Sequence, residues 1–200
     1  MNKERFKAAL QESIDLKKSI IENNCLENIQ IIGDKIVNSI IKGNKLLICG
    51  NGGSAADAQH LTAELLIRLK PSNNRQGIPA IALTQDVSTL TACGNDFGFE
   101  KIYERLVKTL GRKGDVLLAI STSGNSLNIL NAIKAANDNE IESISLLGSG
   151  GGKAIKLSKE SFLVPSDNVA RIQECHITIG HILMEYIEDK LIELDFIKTN

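Results

Sequence analysis

The chain has 200 residues, of which 42% are hydrophobic and 24% charged, a composition typical of one globular domain with its own core. Its 23 basic and 24 acidic residues give a net charge of −1, which argues against general nucleic-acid binding because that function usually needs a basic excess. No stretch approaches the about 20 apolar residues of a membrane span, and the charged start MNKERFKAALQES lacks the apolar centre of a signal peptide. We therefore expect a cytoplasmic protein that binds neither nucleic acid nor a membrane.

The chain is predicted to begin with two helices. Apolar residues recur at helical spacing over about 3–22 and again over about 26–42, and Gly43 is a natural helix stop. We expect residues 1–43 to form a helical pair that packs on the rest of the chain or on a neighbouring subunit. The whole chain, 1–200, is predicted to be one domain.

After Gly43, short apolar runs alternate with segments of helical character. This alternation predicts an α/β fold in which a five-stranded parallel sheet is covered by helices on both faces, a doubly wound three-layer sandwich. The predicted strands are 45–49, 79–83, 115–121, 143–148 and 161–165. The predicted helices are about 54–68, 86–93, 100–110, a helix after STSGNS to about 138, a short one after SGGGK, and 169–194, with an exposed loop at 70–77.

Two of the predicted strands end in loops with ligand-binding character, at the sheet edge where open parallel sheets bind ligands. The third strand runs into STSGNS, where Ser121, Thr122, Ser123 and Ser126 surround Gly124 just before a helix. Hydroxyls and free amides at a helix start donate to anions, although a single serine there would more often be only a helix cap. Four hydroxyls within six residues favour a phosphate site, and the absence of G-x-x-x-x-G-K-[ST] disfavours a nucleotide hydrolase.

The loop after the first strand has the spacing of a dinucleotide-binding fingerprint. Gly50, Gly52 and Ala55 match G-x-G-x-x-G/A. That motif is expected to be followed, about 20 residues later, by an acidic residue that binds ribose. The nearest candidate, Asp86, lies beyond the second predicted strand. A nicotinamide-dependent dehydrogenase is therefore disfavoured.

Two predicted helices carry histidines beside polar partners. His60 and Glu64 are four residues apart and project from one helix face, where they can share a metal ion or support proton transfer, or simply form a solvated surface contact. On the closing helix, Gln173 and His181 differ by about 80° around the axis and so share a broad face. His176 points elsewhere, as a packing or surface residue.

Four segments together resemble the sugar isomerase (SIS) domain family: CGNGGSAADAQHLTAEL, ACGNDFGFEKIY, GDVLLAISTSGNSLNIL and ARIQECHITIGHIL. Within that family they are similar to the phosphoheptose isomerases, from the N-terminal helices to about Leu191. The resemblance implies an aldose–ketose isomerase that converts sedoheptulose 7-phosphate to D-glycero-D-manno-heptose 7-phosphate, an early step toward nucleotide-activated heptose for lipopolysaccharide. It also implies a homotetramer with active sites between subunits.

The resemblance further implies roles for individual residues. Glu64 matches the catalytic base and His181 the catalytic acid. Residues matching the substrate contacts are Asn51, Gly52, Gly53, Ser54, Glu64, Asn95, Asp96 and Gln173, with the phosphate on Ser121, Thr122, Ser123 and Ser126. Residues matching a zinc (Zn2+) site found in some members, one ion per subunit, are His60, Glu64, Gln173 and His181. Ala170 departs from the family, some members of which carry an aspartate there.

Two non-catalytic functions remain as alternatives. Relatives that bind the bacterial replication initiator share the fold and the serine loop, and a sensor would bind a sugar phosphate without turnover. The initiator-binding branch lacks residues that match Glu64 and His181. This chain keeps both, so the sequence favours the enzyme.

Overall fold

The computed structural model describes residues 2–23 and 25–199. The strands are β1 (Leu46–Gly50), β2 (Ala80–Ala82), β3 (Val116–Ser121), β4 (Glu142–Leu147) and β5 (Glu160–Leu163). The helices are α1 (Lys3–Glu22), α2 (Leu26–Ile40), α3 (Gly53–Leu66), α4 (Val87–Phe97), α5 (Ile102–Leu110), α6 (Leu127–Asp138) and α7 (Val169–Glu193). The five strands form one all-parallel sheet in the order β2-β1-β3-β4-β5, which confirms the predicted fold class.

Alternating residues of the central strands feed two separate apolar cores. In β1, Leu46 and Ile48 pack with α2, α3 and α7 on one face, while Leu47 and Cys49 pack with α5 and α6 on the other. The central strands β1 and β3 are buried along their whole length, the usual state of a parallel sheet covered by crossover helices on both faces. Residues of α2 and Ile20 of α1 belong to the first core, so the N-terminal pair packs on this face of the sheet, and the single domain stays a prediction.

The sheet places the two predicted loops side by side. Gly50 at the end of β1 pairs with Ile120 in β3, so the glycine loop and the serine loop leave neighbouring strands at the same edge. Gly124 has φ of +61°, and a Cβ there would clash with the Gly151 carbonyl. Only glycine allows the serine loop to approach the loop after β4 this closely.

The structure corrects two of these predictions, the end of one helix and the exposure of one loop residue, and specifies a third. The helix predicted over 86–93 continues through Asn95 and Asp96, because the turn that ends it is at Gly98, whose φ is +91°. The short helix after SGGGK is a single 3-10 turn at 154–156. Within the 70–77 loop, Arg75 is buried rather than exposed.

Across the described ranges, none of the helices combines the length and the apolar character that crossing a membrane requires.

Candidate functional site

Two helices bring three of the predicted residues together. His60 and Glu64 lie one turn apart on α3, with His60 Nε2 at 3.3 Å from a Glu64 carboxylate oxygen. His181 on α7 places its Nε2 at 2.8 Å from His60 Nε2. The two imidazole rings meet edge to face, with centroids 5.0 Å apart and planes at 76°. We call His60, Glu64 and His181 the α3–α7 triad.

Small residues allow α3 and α7 to approach closely enough for this contact. A Cβ on Gly180 would lie 2.6 Å from Leu61 Cδ1, so α7 packs directly over α3 beside the triad. At the start of α3, Gly53 faces the Gln173 amide in the same manner. The two helices therefore run side by side in the same direction.

The triad has the donor set of a divalent metal site. One atom from each residue lies within 4.8 Å of the others, and two imidazoles with a carboxylate are typical zinc ligands. Ligand atoms at about 2.0–2.1 Å from a tetrahedral zinc ion lie about 3.3 Å from one another. The His60–Glu64 distance of 3.3 Å matches that spacing, and the His60–His181 distance of 2.8 Å needs a small opening. The three side chains thus fit zinc.

Gln173, the fourth predicted ligand, stands apart from the triad. Its amide lies against Gly53, and its position on α7 is eight residues before His181, or about 12 Å along the axis. Its part in metal binding stays a prediction. Its contact with the glycine loop suits the predicted substrate contact.

Asp57 adds a second carboxyl group beside the triad. It lies half-buried on α3, three residues before His60, and its Oδ2 atom has no hydrogen-bond partner among residues 2–23 and 25–199. Burial raises the pKa of this carboxyl, and the charges of His60 and His181 lower it by less. In the sequence Asp57 lies on the same helix stripe as His60 and Glu64, but no role was predicted for it.

The glycine loop is held in place by two side chains that the sequence analysis missed. The amides of Asn51 and Asn128 exchange two hydrogen bonds of 2.9 and 2.8 Å, which tie the loop to α6. The Tyr103 hydroxyl donates to the Gly50 carbonyl at 2.5 Å, and burial raises the pKa of this phenol, which keeps it protonated. In the sequence, Asn128 could have been noticed as a polar residue within the apolar run LNIL.

The serine loop keeps its hydroxyl protons available. Ser121 Oγ accepts from the Gly124 amide at 3.1 Å and Ser123 Oγ accepts from the Asn125 amide at 3.2 Å, so each oxygen uses a lone pair and leaves its O–H free to donate. Ser126 precedes α6 without a capping hydrogen bond from its side chain in the described structure. Ser126 therefore does not act as a helix cap, whereas the oxygens of Ser121 and Ser123 stabilise the turn, which is the other part of the alternative explanation.

A cleft of about 210 Å³ opens next to this loop. Thr122 and Ser123 form one wall. The sequence analysis did not select the polar residues of the other wall, which are Ser149, Ser166 and Asp167. A larger cleft of about 440 Å³ lies between β2, α4 and α5, but it holds none of the predicted site residues.

Asn95 and Asp96 lie near the end of α4. Both are exposed, and the Asn95 amide donates to Asp96 at 2.8 Å. Within the described ranges, no side-chain hydrogen bond joins them to either loop. Their role in substrate binding stays a prediction.

His176 is fully buried on α7, on the side of the helix away from the triad. Burial lowers the pKa of its imidazole to about 4, with a smaller opposing effect from the Leu147 backbone. Neither ring nitrogen has a hydrogen-bond partner of good geometry in the part of the chain that the structure describes. His176 is therefore a neutral packing residue, one of the two alternatives the sequence left open.

The chain is similar to known proteins in both sequence and fold. The profile of the family described as SIS domain matches residues 10–148. The chain is 46% identical over 190 residues to the phosphoheptose isomerase of Aquifex aeolicus, covering 95% of this chain and 98% of that one. The phosphoheptose isomerase structure from Neisseria gonorrhoeae matches with a TM-score of 0.87 and 41% identity, over 93% of this chain and 98% of that chain. The phosphoheptose isomerase structure from Francisella tularensis matches with a TM-score of 0.89 and 39% identity, over 94% of this chain and 100% of that chain.

The burial of His176 predicts a specific loss of stability in acid. An unfolded histidine takes up a proton near pH 6.5, whereas folded His176 does so only near pH 4. Its contribution to the free energy of unfolding is therefore present above pH 6.5 and is lost as the pH falls toward 4. Between pH 7 and pH 5 the loss is about 2 kcal/mol. Urea unfolding at pH 7 and at pH 5 measures this loss. The drop in the free energy of unfolding between the two pH values should be about 2 kcal/mol smaller for His176→Leu than for the wild type. An equal drop in the two proteins would contradict the assignment.

Proposed function

This chain belongs to the SIS domain family and, within it, to the phosphoheptose isomerases, and on that premise we propose that it isomerises sedoheptulose 7-phosphate. The product is D-glycero-D-manno-heptose 7-phosphate, an early precursor of nucleotide-activated heptose for lipopolysaccharide. The observation that carries the proposal is the meeting of a carboxylate and two imidazoles in the α3–α7 triad. A protein that only binds a sugar phosphate has no need of that pairing.

Aldose–ketose isomerisation moves a proton between two adjacent carbons through an enediol. Glu64 takes the proton from one carbon and returns it to the neighbouring carbon. His181 donates a proton to the carbonyl oxygen and takes one back from the hydroxyl that becomes the new carbonyl. A carboxylate base beside an electrophilic imidazole is an established solution for this chemistry on sugar phosphates. Glu64 is 17% exposed, so its carboxylate is held by the protein yet reachable from the open side of the triad.

The two loops hold the rest of the substrate. Hydroxyls at the start of α6 bind the phosphate, supported by their free O–H groups and by the helix amides. The proposed phosphate ligands are Ser121, Thr122, Ser123 and Ser126. The proposed sugar contacts are Asn51, Gly52, Gly53, Ser54, Asn95, Asp96 and Gln173.

We assign zinc to the triad; Gln173, the fourth predicted ligand, would have to leave its contact with Gly53 to join the three residues. The donor set and the spacing of His60, Glu64 and His181 support this assignment. When bound, the ion would supply Lewis-acid polarisation of the substrate oxygens in place of the proton from His181, because an imidazole nitrogen that binds a metal carries no proton.

The protein is proposed to act in the cytoplasm as a homotetramer with active sites between subunits. All four cysteines are unpaired, as is usual in a reducing compartment. A row of apolar side chains on α1, which we call the α1 row, is exposed to between 48% and 68% and has the character of a surface that a second copy covers. The α1 row consists of Phe6, Leu10, Ile14 and Ile21.

Glu64→Gln tests the catalytic assignment. Purified wild-type protein should isomerise sedoheptulose 7-phosphate, and the variant should lose at least about 100-fold in kcat with little change in KM, because general-base catalysis contributes on that order. Glu27→Gln, an exposed change on α2, is the matched control and should keep full activity. Normal turnover by Glu64→Gln would remove the base assignment. A wild type that binds the substrate without turnover would favour the sensor.

His60→Ala tests the metal assignment. Calorimetric titration of chelator-treated protein with Zn2+ should give one site per subunit, weakened at least about tenfold in the variant because one ligand is lost. His176→Leu should bind like the wild type, since this histidine is buried away from the triad. Equal affinity in wild type and His60→Ala would place the metal elsewhere.

Leu10→Glu tests the assembly. Light scattering coupled to gel filtration should show a tetramer for the wild type and a smaller species for the variant, because the charge prevents burial of the α1 row. Isomerase activity should fall with the assembly. Leu194→Glu, an exposed apolar position after α7, should remain tetrameric. A monomeric, active wild type would contradict the proposal.

A further inference from the structure

A buried ion pair connects the 70–77 loop to α7. Arg75 Nε lies 2.5 Å from Glu188 Oε2, and both side chains are fully buried. The Asn73 amide donates to the other carboxylate oxygen at 2.6 Å. No other ion pair within the described ranges has both side chains inaccessible to solvent.

The same guanidinium caps the end of α3. Arg75 donates from Nη2 to the Glu64 backbone carbonyl and from Nη1 to the Leu65 carbonyl, both at 2.9 Å. Because α3 ends at Leu66, a carbonyl in its last turn has no later helical amide to bond with. A cation at a helix C-terminus also complements the helix dipole. Arg75 thus holds the backbone of the very residue that we assign as the base.

Through Glu188, the same Arg75 side chain also binds α7. Glu188 lies on α7 seven residues, or two turns, after His181, so the two side chains leave nearly the same face. One planar group therefore bonds to the backbone of Glu64 and to the helix that carries His181. These bonds set the distance between α3 and α7 at the end nearest Glu64 and keep the two helices from sliding along one another.

We propose that Arg75 and Glu188 are positioning residues, which set the Glu64 carboxylate against His181 through the ends of α3 and α7. Stability alone does not require a buried ion pair, since well-packed apolar residues of similar volume are often as stable. Apolar residues cannot bond to the Glu64 carbonyl. A displacement of about 1 Å at a reacting group costs about 100-fold in rate, which is why such a directional contact matters.

The double variant Arg75→Met/Glu188→Leu separates positioning from stability. It leaves no unpaired buried charge, so its thermal unfolding should stay close to that of the wild type. The control is Lys70→Met/Asp189→Leu, which removes an exposed ion pair of 2.7 Å between the same loop and the same helix. Within the described ranges, neither side chain of the control pair makes a hydrogen bond to α3.

The kinetic readout rests on the proposed function. The double variant should lose about 10- to 100-fold in kcat, the usual cost of removing a supporting contact, while KM changes less than about threefold because the serine loop is untouched. The control should keep wild-type kcat and KM. Wild-type kcat in a folded double variant would overturn the proposal.

A second readout needs neither activity nor metal. The chain has three histidines, so the side-chain nitrogen signals of His60, His176 and His181 are readily assigned by NMR. In the double variant the His60 and His181 signals should shift, while that of buried His176 stays in place. Unchanged His60 and His181 signals would overturn the positioning role even if the wild type proved inactive on sedoheptulose 7-phosphate. Shifted signals in an inactive wild type would instead reject only the proposed function.

Discussion

The close packing of α7 on α3 is the contact on which the site depends. Gly180 lets the two helices approach at Leu61, and the imidazoles of His60 and His181 then meet at 2.8 Å. On α3 alone His60 has only Glu64 as a partner, so the group of two imidazoles and a carboxylate exists only where the two helices meet. The sheet below explains why the helices are adjacent, because both pack on the same face of β1 and its neighbours.

The ends of this helix pair are held by polar contacts of different kinds. At the start of α3, Gly53 admits the Gln173 amide, and at its end Arg75 bonds to the last carbonyls and to Glu188. The apolar core between these ends resists sliding only weakly, because dispersion contacts are not directional. The polar contacts at the two ends are directional, and they lie where the proposed chemistry requires fixed side-chain positions.

Much of the architecture could be predicted because it follows from short-range patterns. Alternating apolar runs predicted the five parallel strands, and a spacing of four residues placed His60 and Glu64 on one helix face. The end of α4 was mispredicted because Gly94 and Asn95 are poor helix formers, whereas the actual stop is the left-handed conformation at Gly98. The burial of Arg75 was missed because its partner is 113 residues away.

The sequence by itself determined the fold class, the family resemblance and the candidate base and acid, since these depend on local periodicity and on motifs of a few residues. Only the tertiary structure decided which candidates meet. It joined His60, Glu64 and His181, left Gln173 at the glycine loop, and showed His176 to be a buried neutral side chain. The physical reason is that helix packing and burial depend on residues far apart in the chain, which no local pattern records.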